Sequence, residues 1–405
     1  MASTPLTAAF ARAFGAPRSP HGPVPVARAP GRVNLIGEHI DYCGLPVLPM
    51  ALRRSIHVAF RPRADRETRL VNRDQRFAPS AFTVNAQIPP AAGGDWSNYA
   101  RAAVQALAHR FPDLRGVDAL VETELPIAAG LSSSSGLVVA VALAILHANQ
   151  VTVAPLELME LLAQGERYVG TAGGGMDQAI ILGARVGCAS RIDFHPLRLT
   201  FTAVPADWQF IVAWSLVHAE KSGAARQAYN ERTRQCDEAR RLVATRLGQR
   251  EDITYPALLA AAPVEELLEL AGATLSGVLA RRFRHVVTEG TRVPQAEAAM
   301  VARDLAAFGR LLDASHQSLR DDYEVSHPEL DRLVELAREA GAAGARLTGA
   351  GFGGSIVALC RVERAPDVVA ALRERYYAPR GAASDVARHM FTAEPSAGAE
   401  VLIPE

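Results

Sequence analysis

The sequence predicts a two-lobed α+β protein, and three observations carry that prediction. At 405 residues the chain is longer than one average domain and suits two lobes, each burying its own core. The first half mixes strand-like and helix-like segments. The second half resumes with strands, turns largely helical, and closes in an αβαβ order that packs helices on one face of a sheet. The lobes are expected to divide near residue 190, into 1–190 and 191–405, with no internal repeat and no low-complexity linker between them.

Taken in order, the first 37 residues carry no acid, a feature shared with transit peptides. Phe10, Phe14 and the Gly/Pro-rich stretch after them fit better a short opening helix that leads into a strand. Val24 to Glu38 then reads as strand and turn, and Leu45–Leu52 and Ile56–Phe60 read as two further strands. Trp96 to Phe111 has helical spacing, with Tyr99, Ala103, Leu107 and Phe111 on one face. Val138–Asn149 is an apolar helix, and Pro155 suits the first turn of the next. Strands follow near Cys188–Phe194 and Phe210–Trp214, with helix from Ser222 to Leu312. Pro328 opens a helix with Leu330, Leu333, Val334 and Ala337 on one stripe, and Gly341 stands at its C-cap. A glycine loop, a strand at Ser355–Cys360, a helix from Pro366 to Tyr377 and a strand near Arg388–Thr392 complete the chain.

Composition narrows the function. Hydrophobic residues make up 49% and charged residues 21%, a soluble globular profile. The formal net charge is zero, so no basic field favours nucleic acid or an anionic membrane, and a small-molecule partner is expected. No apolar run reaches transmembrane length. Cys43, Cys188, Cys236 and Cys360 lie far apart with no C-x-x-C pair, which argues against a disulfide framework or structural zinc and for a reducing cytosol. Lys221 is the only lysine, and the other 42 basic residues are arginines. Its surroundings, AEKSGAAR, hold no glycine-rich turn, so any use of ATP proceeds without a P-loop lysine.

Three glycine-bearing motifs carry the chemistry. RAPGRVNLIGEHIDYCGLPVLPMAL, Arg28 to Leu52, gathers Arg32, Glu38, His39 and Asp41 beside a tight turn. Charges amid apolar strand sequence either lie on an exposed loop or are satisfied by mutual pairing or a polar ligand, and here they offer acceptors and donors for a polyhydroxyl compound. LPIAAGLSSSSGL, Leu125 to Leu137, runs into an apolar helix. One serine would serve as an ordinary cap. Four behind a glycine exceed that need, and a helix N-terminus with free N–H groups is an anion site. RLTGAGFGG, Arg346 to Gly354, contains a formal G-x-G-x-x-G, but with a helix before it and a strand after it the dinucleotide reading fails. Its glycines suit close approach to a ligand or to another glycine loop. Between the second and third motifs, GERYVGTAGGGMDQ places Asp177 just past three glycines and Glu166 at the end of the preceding helix.

Together these segments resemble the galactokinase branch of the GHMP kinase superfamily over nearly the whole chain. GRVNLIGEHIDY is similar to the galactokinase signature, GLSSSSGL to the superfamily's ATP-phosphate loop and RLTGAGFGG to its third motif; SHQSLRDDYEVSHPELD, Ser315 to Asp331, also resembles the family. The resemblance implies a two-lobed GHMP kinase fold with the active site in the cleft, and ATP-dependent phosphorylation of galactose at the C1 hydroxyl. It implies that Glu38, His39 and Asp41 hold sugar hydroxyls, that Gly174 and Tyr229 touch the sugar, and that Asp177, the base, and Arg32 flank the reacting groups. Gly130, Ser132, Ser133 and Ser134 match the phosphate loop, with Ser134 and Glu166 beside magnesium. A cytoplasmic monomer is expected. Gly173–Gly175 replaces the bulkier Cys-Gly-Ile of most galactokinases and resembles the N-acetylgalactosamine kinase branch, whereas Tyr229 and SLRDDYEVS resemble galactokinase. Gly136 stands where alanine is usual. A galactose sensor without activity, the alternative of another class, would have lost parts of the serine loop or the aspartate that this chain keeps.

Overall fold

The computed structural model describes residues 3–15, 23–171, 173–219 and 224–403. Lys221 and Ser222 lie outside the described residues. Helix α1 (Ser3–Phe14) precedes strands β1 (Val26–Ile36), β2 (Leu48–Pro62), β3 (Glu67–Asn72) and β4 (Ser80–Thr83). Helix α2 (Ser97–Arg110), strand β5 (Val117–Thr123) and helices α3 (Ser133–Ala148), α4 (Pro155–Gly165) and α5 (Met176–Gly183) follow. Next come β6 (Cys188–Asp193), β7 (Arg198–Ala203) and β8 (Trp208–Trp214), then α6 (Ala224–Arg246), α7 (Tyr255–Ala261), α8 (Val264–Thr274), α9 (Gly277–Val301), α10 (Leu305–Asp321) and α11 (Pro328–Glu339). The hairpin β9 (Gly344–Thr348)–β10 (Ser355–Arg361), α12 (Ala365–Leu372), the short α13 (Val386–His389), β11 (Met390–Ala393) and β12 (Glu400–Leu402) end the chain.

The first sheet has six strands in the order β12-β1-β2-β5-β3-β4, antiparallel except for the β3–β5 pair. Its strands alternate as a two-faced sheet should. Val58, Phe60, Ala119 and Val121 enter the main core beneath α3, while Ala59 and Leu120 face the other way and bury Leu6 and Phe10 of α1. Helix α3 is apolar on every side, LVVAVALAIL, because it is wedged between the sheet and α2 and has no solvent face. The second sheet, β11-β8-β10-β9, is antiparallel and carries α10, α11 and α12.

Three readings of the sequence need correction. The strands expected at Leu45–Leu52 and Ile56–Phe60 form one strand, β2; Arg53 and Arg54 interrupt the apolar pattern, but the register shift opposite Pro30/Arg32 absorbs them as a bulge. The apolar helix expected from Val138 begins at Ser133, so the serines form its first turn. The segment before the third glycine loop includes strand β9, so that loop is the tip of a hairpin, which still excludes the strand-to-helix context of a dinucleotide fingerprint.

Candidate active site

The three motifs converge because each ends an element at one place. Strand β1 carries Arg32 inward and is followed by Gly37–Ile40 and the 3-10 turn Asp41–Cys43, closed by Gly44 in the left-handed region. The serine loop links β5 to α3, and its backbone is tied to β1 by Arg32 N–H donating to Leu131 O at 3.2 Å. The hairpin tip at 349–354 lies on that loop: a Cβ on Gly349 would stand 2.5 Å from Gly130 O, so two backbones touch where no side chain fits.

Two cavities meet there. A cleft of about 580 Å³, its open mouth included, is lined by Glu38, His39, Asp41, Glu166, Gly173–Gly175, Asp177 and Tyr229. A wider groove of about 2130 Å³ is lined by Gly130, Ser132, Ser133 and Ser134 at one end and by Phe77, Trp96 and Tyr99 at the other. Arg32 lines both. The residues read from the sequence as sugar ligands thus share one cavity and those read as phosphate ligands share the next. The aromatic end of the groove was not read from the sequence as a site, since Tyr99 looks like one more apolar residue of an amphipathic helix.

At the junction, Asp177 sits in the first turn of α5, where the helix dipole favours a carboxylate. Its Oδ1 accepts Arg32 Nε–H at 2.7 Å, and its Oδ2 accepts the Ser132 hydroxyl. Arg32 also donates to Gly130 O at 2.6 Å. Burial alone would disfavour the Arg32 charge; Asp177, Glu38 and Asp41 outweigh it and hold the guanidinium charged more firmly than usual. Ser132 is left-handed at φ 58° and makes no side-chain cap on α3, so the first N–H groups of that helix stay open toward the groove. The Ser135 hydroxyl lies between two carboxylates, 2.9 Å from Glu166 and 3.3 Å from Asp177, and its one proton serves one of them at a time. Gln178 donates to Glu166 as well. It is Ser135 that touches Glu166, whereas Ser134 lines the groove.

The sugar-side residues are already engaged. Glu38 Oε2 pairs with Arg346 Nη2 at 2.6 Å; Arg346 is fully buried and comes from the third motif. Burial raises the Glu38 carboxyl above its usual range, against the pull of Arg346 and Arg32. His39 Nε2 faces Ala350 O at 3.2 Å, and since a carbonyl only accepts, that nitrogen carries the proton. Its Nδ1 then accepts from Tyr42 OH at 3.0 Å, and Tyr42 is bonded in turn to Tyr323 at 2.6 Å. Burial, with His285 next, lowers the His39 pKa to about 3, so the ring is neutral. Tyr229 of α6 packs against His39 and Tyr42 with ring centroids 5.4 and 5.6 Å away, closing the cleft with an aromatic wall.

The triple glycine divides by position. A Cβ at Gly174 would lie 2.3 Å from Asp41 C and Tyr42 N, and Gly174 N–H donates to Asp41 Oδ2 at 3.1 Å. Backbone contact therefore requires glycine at 174, whatever the sugar. At Gly173 a Cβ would meet nothing within 4 Å, so that position alone could carry a larger side chain freely.

Comparison with known proteins agrees with this geometry. The galactokinase galactose-binding signature matches residues 8–62, the GHMP kinase N-terminal domain matches 98–184 and the GHMP kinase C-terminal domain matches 296–378. A galactokinase of Chloroflexus aggregans is 40% identical over 378 residues, covering 92% of this chain and 91% of that protein. A galactokinase of Roseiflexus sp. is 43% identical over 343 residues, covering 84% of this chain and 83% of that one. The crystal structure of Lactococcus lactis galactokinase complexed with galactose superposes with a TM-score of 0.87 at 30% identity, over 99% of this chain and 100% of that one. Methanococcus jannaschii mevalonate kinase, at 18% identity and a TM-score of 0.60 over 94% of this chain and 100% of its own, shares the fold. With the signature on the loop that lines the smaller cavity and identity sustained across both lobes, the chain belongs to the galactokinase family of the GHMP kinases.

Proposed function

We propose that this protein transfers the terminal phosphoryl group of ATP to the C1 hydroxyl of galactose, with Asp177 as the base. The observation that carries the reading is the junction of the two cavities at Arg32 and Asp177: a polar, sugar-sized cleft opens onto a groove floored by an uncapped helix N-terminus. ATP would lie with its base toward Phe77, Trp96 and Tyr99 and its phosphates over Ser132–Ser134. Galactose would hydrogen-bond Glu38, His39 and Asp41, approach the backbone at Gly174 and stack against Tyr229.

In the transfer, Asp177 orients the C1 hydroxyl and takes its proton, while Arg32 offsets charge on the phosphoryl oxygens. Phosphoryl transfer of this kind is loose and asks little of the nucleophile, so the proton need not leave first. Magnesium fits the donors present, which are all oxygen: Glu166 and the Ser134 hydroxyl would hold it, leaving its remaining positions to water and phosphate. When bound, it would supply charge neutralisation between the terminal phosphates.

The division between lobes falls near residue 190, where the β6–β7 hairpin follows α5. The enzyme is proposed to act as a monomer. No described helix is long and apolar enough to cross a membrane. All four cysteines are unpaired, in keeping with a cytosolic enzyme.

A coupled assay over a panel of sugars tests the reading. Galactose should drive ATP consumption and yield the 1-phosphate, with N-acetylgalactosamine a poorer substrate. ATP hydrolysis that ignores the sugar, or phosphate at C6, would sink it.

The pH profile gives an independent check. Burial, then the Asp177 charge, raises the Asp41 pKa to about 6, above the 3.8 of an ordinary aspartate. A carboxyl raised in this way favours the folded state when protonated, so its contribution to stability is present at low pH and is lost as pH rises from near 4 through about 6. Galactose binding runs the other way, because the ionised form is the better acceptor for hydroxyls. Galactose kcat/KM should therefore fall on the acid side below about pH 6, a limb set by Asp41. His39, neutral across this range, adds nothing to it. Asp41→Asn should flatten the limb; an unchanged limb in that variant rules Asp41 out as its source.

A further inference from the structure

We propose that Glu289 is the positioning residue of the sugar pocket: from helix α9 it clamps the backbone of Gly37 and Glu38, and so sets where Glu38 and His39 point. Glu289 is fully buried yet absent from the lining of the cleft. Its Oε1 accepts the N–H of Gly37 at 2.9 Å, the N–H of Glu38 at 3.3 Å and the Ser315 hydroxyl at 2.7 Å. Its Oε2 is held by Arg292 at 2.8 Å. One helical turn earlier on the same face, His285 Nε2 donates to Glu38 O at 3.0 Å. Both peptide groups flanking the Glu38 Cα are thus fixed by α9.

The next residue explains what the clamp is for. His39 is left-handed at φ 62°, an uncommon state for a residue with a side chain, and such states persist where their surroundings over-determine them. With the Glu38 peptide groups held, the left-handed step at His39 aims its ring between Ala350 O and Tyr42 OH, and aims Glu38 at Arg346. Loosening the clamp lets the loop relax toward ordinary backbone angles and moves both side chains off the sugar. None of Gly37–Asp41 lines the nucleotide groove, which meets this loop through Arg32 and through Ala350, the partner of the His39 ring.

The inference rests on the galactose-kinase reading, and the experiment separates the two. In Glu289→Ala, galactose KM should rise by at least about tenfold, since small misplacements of binding groups are costly, with ATP KM within about twofold of the parent. Glu289→Gln keeps an acceptor oxygen for the two N–H groups and should recover most of the galactose affinity. Phe308→Leu, in the core cluster with Trp208 and Phe210, serves as a control for destabilisation alone. It should lower the thermal midpoint and the active fraction and leave both KM values where they were. Should Glu289→Ala fold poorly, His285→Leu removes the bond to the Glu38 carbonyl, together with the ring's bond to Ser318 and its contact with Tyr323, leaves the Glu289 bonds in place, and should raise galactose KM by about threefold or more, a smaller misplacement of the same loop. Parental galactose KM in the folded fraction of these variants, or an equal rise in Phe308→Leu, overturns the clamp alone. Failure of the unmodified enzyme to turn over galactose overturns both the clamp and the functional reading.

Discussion

Replacing Asp177 by asparagine is expected to lower galactose turnover by roughly 10²–10⁴-fold, the range lost when a positioned general base is removed. The geometry adds a second reason for a large effect. Both carboxylate oxygens accept from donors, Arg32 Nε on one and Ser132 on the other. An asparagine offers one acceptor and one NH₂ group; its oxygen can still accept from Arg32 while its NH₂ donates to the Ser132 hydroxyl, which turns to accept, but the counter-charge of Arg32 is gone. The loss therefore includes an Arg32 without its ionic partner as well as a missing base. Galactose binding should stay measurable by calorimetry, because the sugar's other partners lie on the Glu38–Asp41 segment and α6. Asp177→Ala separates the two contributions. It removes the base and the acceptor of Arg32 together, so if base loss dominates it should be as slow as the asparagine variant; if placement of Arg32 matters as well, it should be the slower of the two. Near-parental turnover in Asp177→Asn would show that the base lies elsewhere.

What could be read from the sequence follows a physical line. Motifs whose residues are contiguous and conformationally demanding, such as the glycine turns, the serine run at a helix start and the aspartate after three glycines, announce themselves, and the structure gathers them around two adjoining cavities. Residues that act from the middle of a regular element did not. Arg282, His285 and Glu289 look like the solvated face of a long helix, yet all three are buried. The signal was present: His285 and Glu289 are one turn apart and alternate with Phe283, Val286, Val287 and Gly290, so the apolar stripe of α9 contains them instead of lying opposite them. Arg346 was read as the start of a glycine motif, not as the counter-charge of Glu38, because a pair separated by 308 residues leaves no local pattern. Among the strands, β1, β2, β8 and β10 were visible as long apolar runs. Strands β3, β4, β7 and β12 were not, being short and half-exposed, with too few alternations to distinguish from loop.

Arg346→Met is expected to destabilise the protein by about 3–5 kcal/mol, the usual result of leaving one member of a buried ion pair behind. Arg346 has no exposed surface and Glu38 almost none, and the guanidinium also donates to the carbonyls of Leu35 at 2.9 Å and Asn34 at 3.4 Å. Removing it strands the Glu38 carboxylate and takes a donor from two buried carbonyl groups at the end of β1, of which Asn34 O keeps the Thr348 hydroxyl. Stability by denaturant titration should fall accordingly, and galactose affinity should fall with it, because an unpaired Glu38 takes up a proton and loses acceptor capacity. Glu38→Gln should be milder for folding, since its amide oxygen still accepts from Arg346. The informative variant is the pair Glu38→Leu with Arg346→Met. Buried ion pairs replaced on both sides by apolar groups often lose no stability, because desolvation of the charges offsets their attraction. The double variant should therefore fold markedly better than Arg346→Met alone while binding galactose no better. That combination would show a pair kept for the sugar and not for the fold. A loss below about 1 kcal/mol in Arg346→Met, the range of a solvent-exposed pair, would mean that water reaches this site and that Glu38 is held by something other than Arg346.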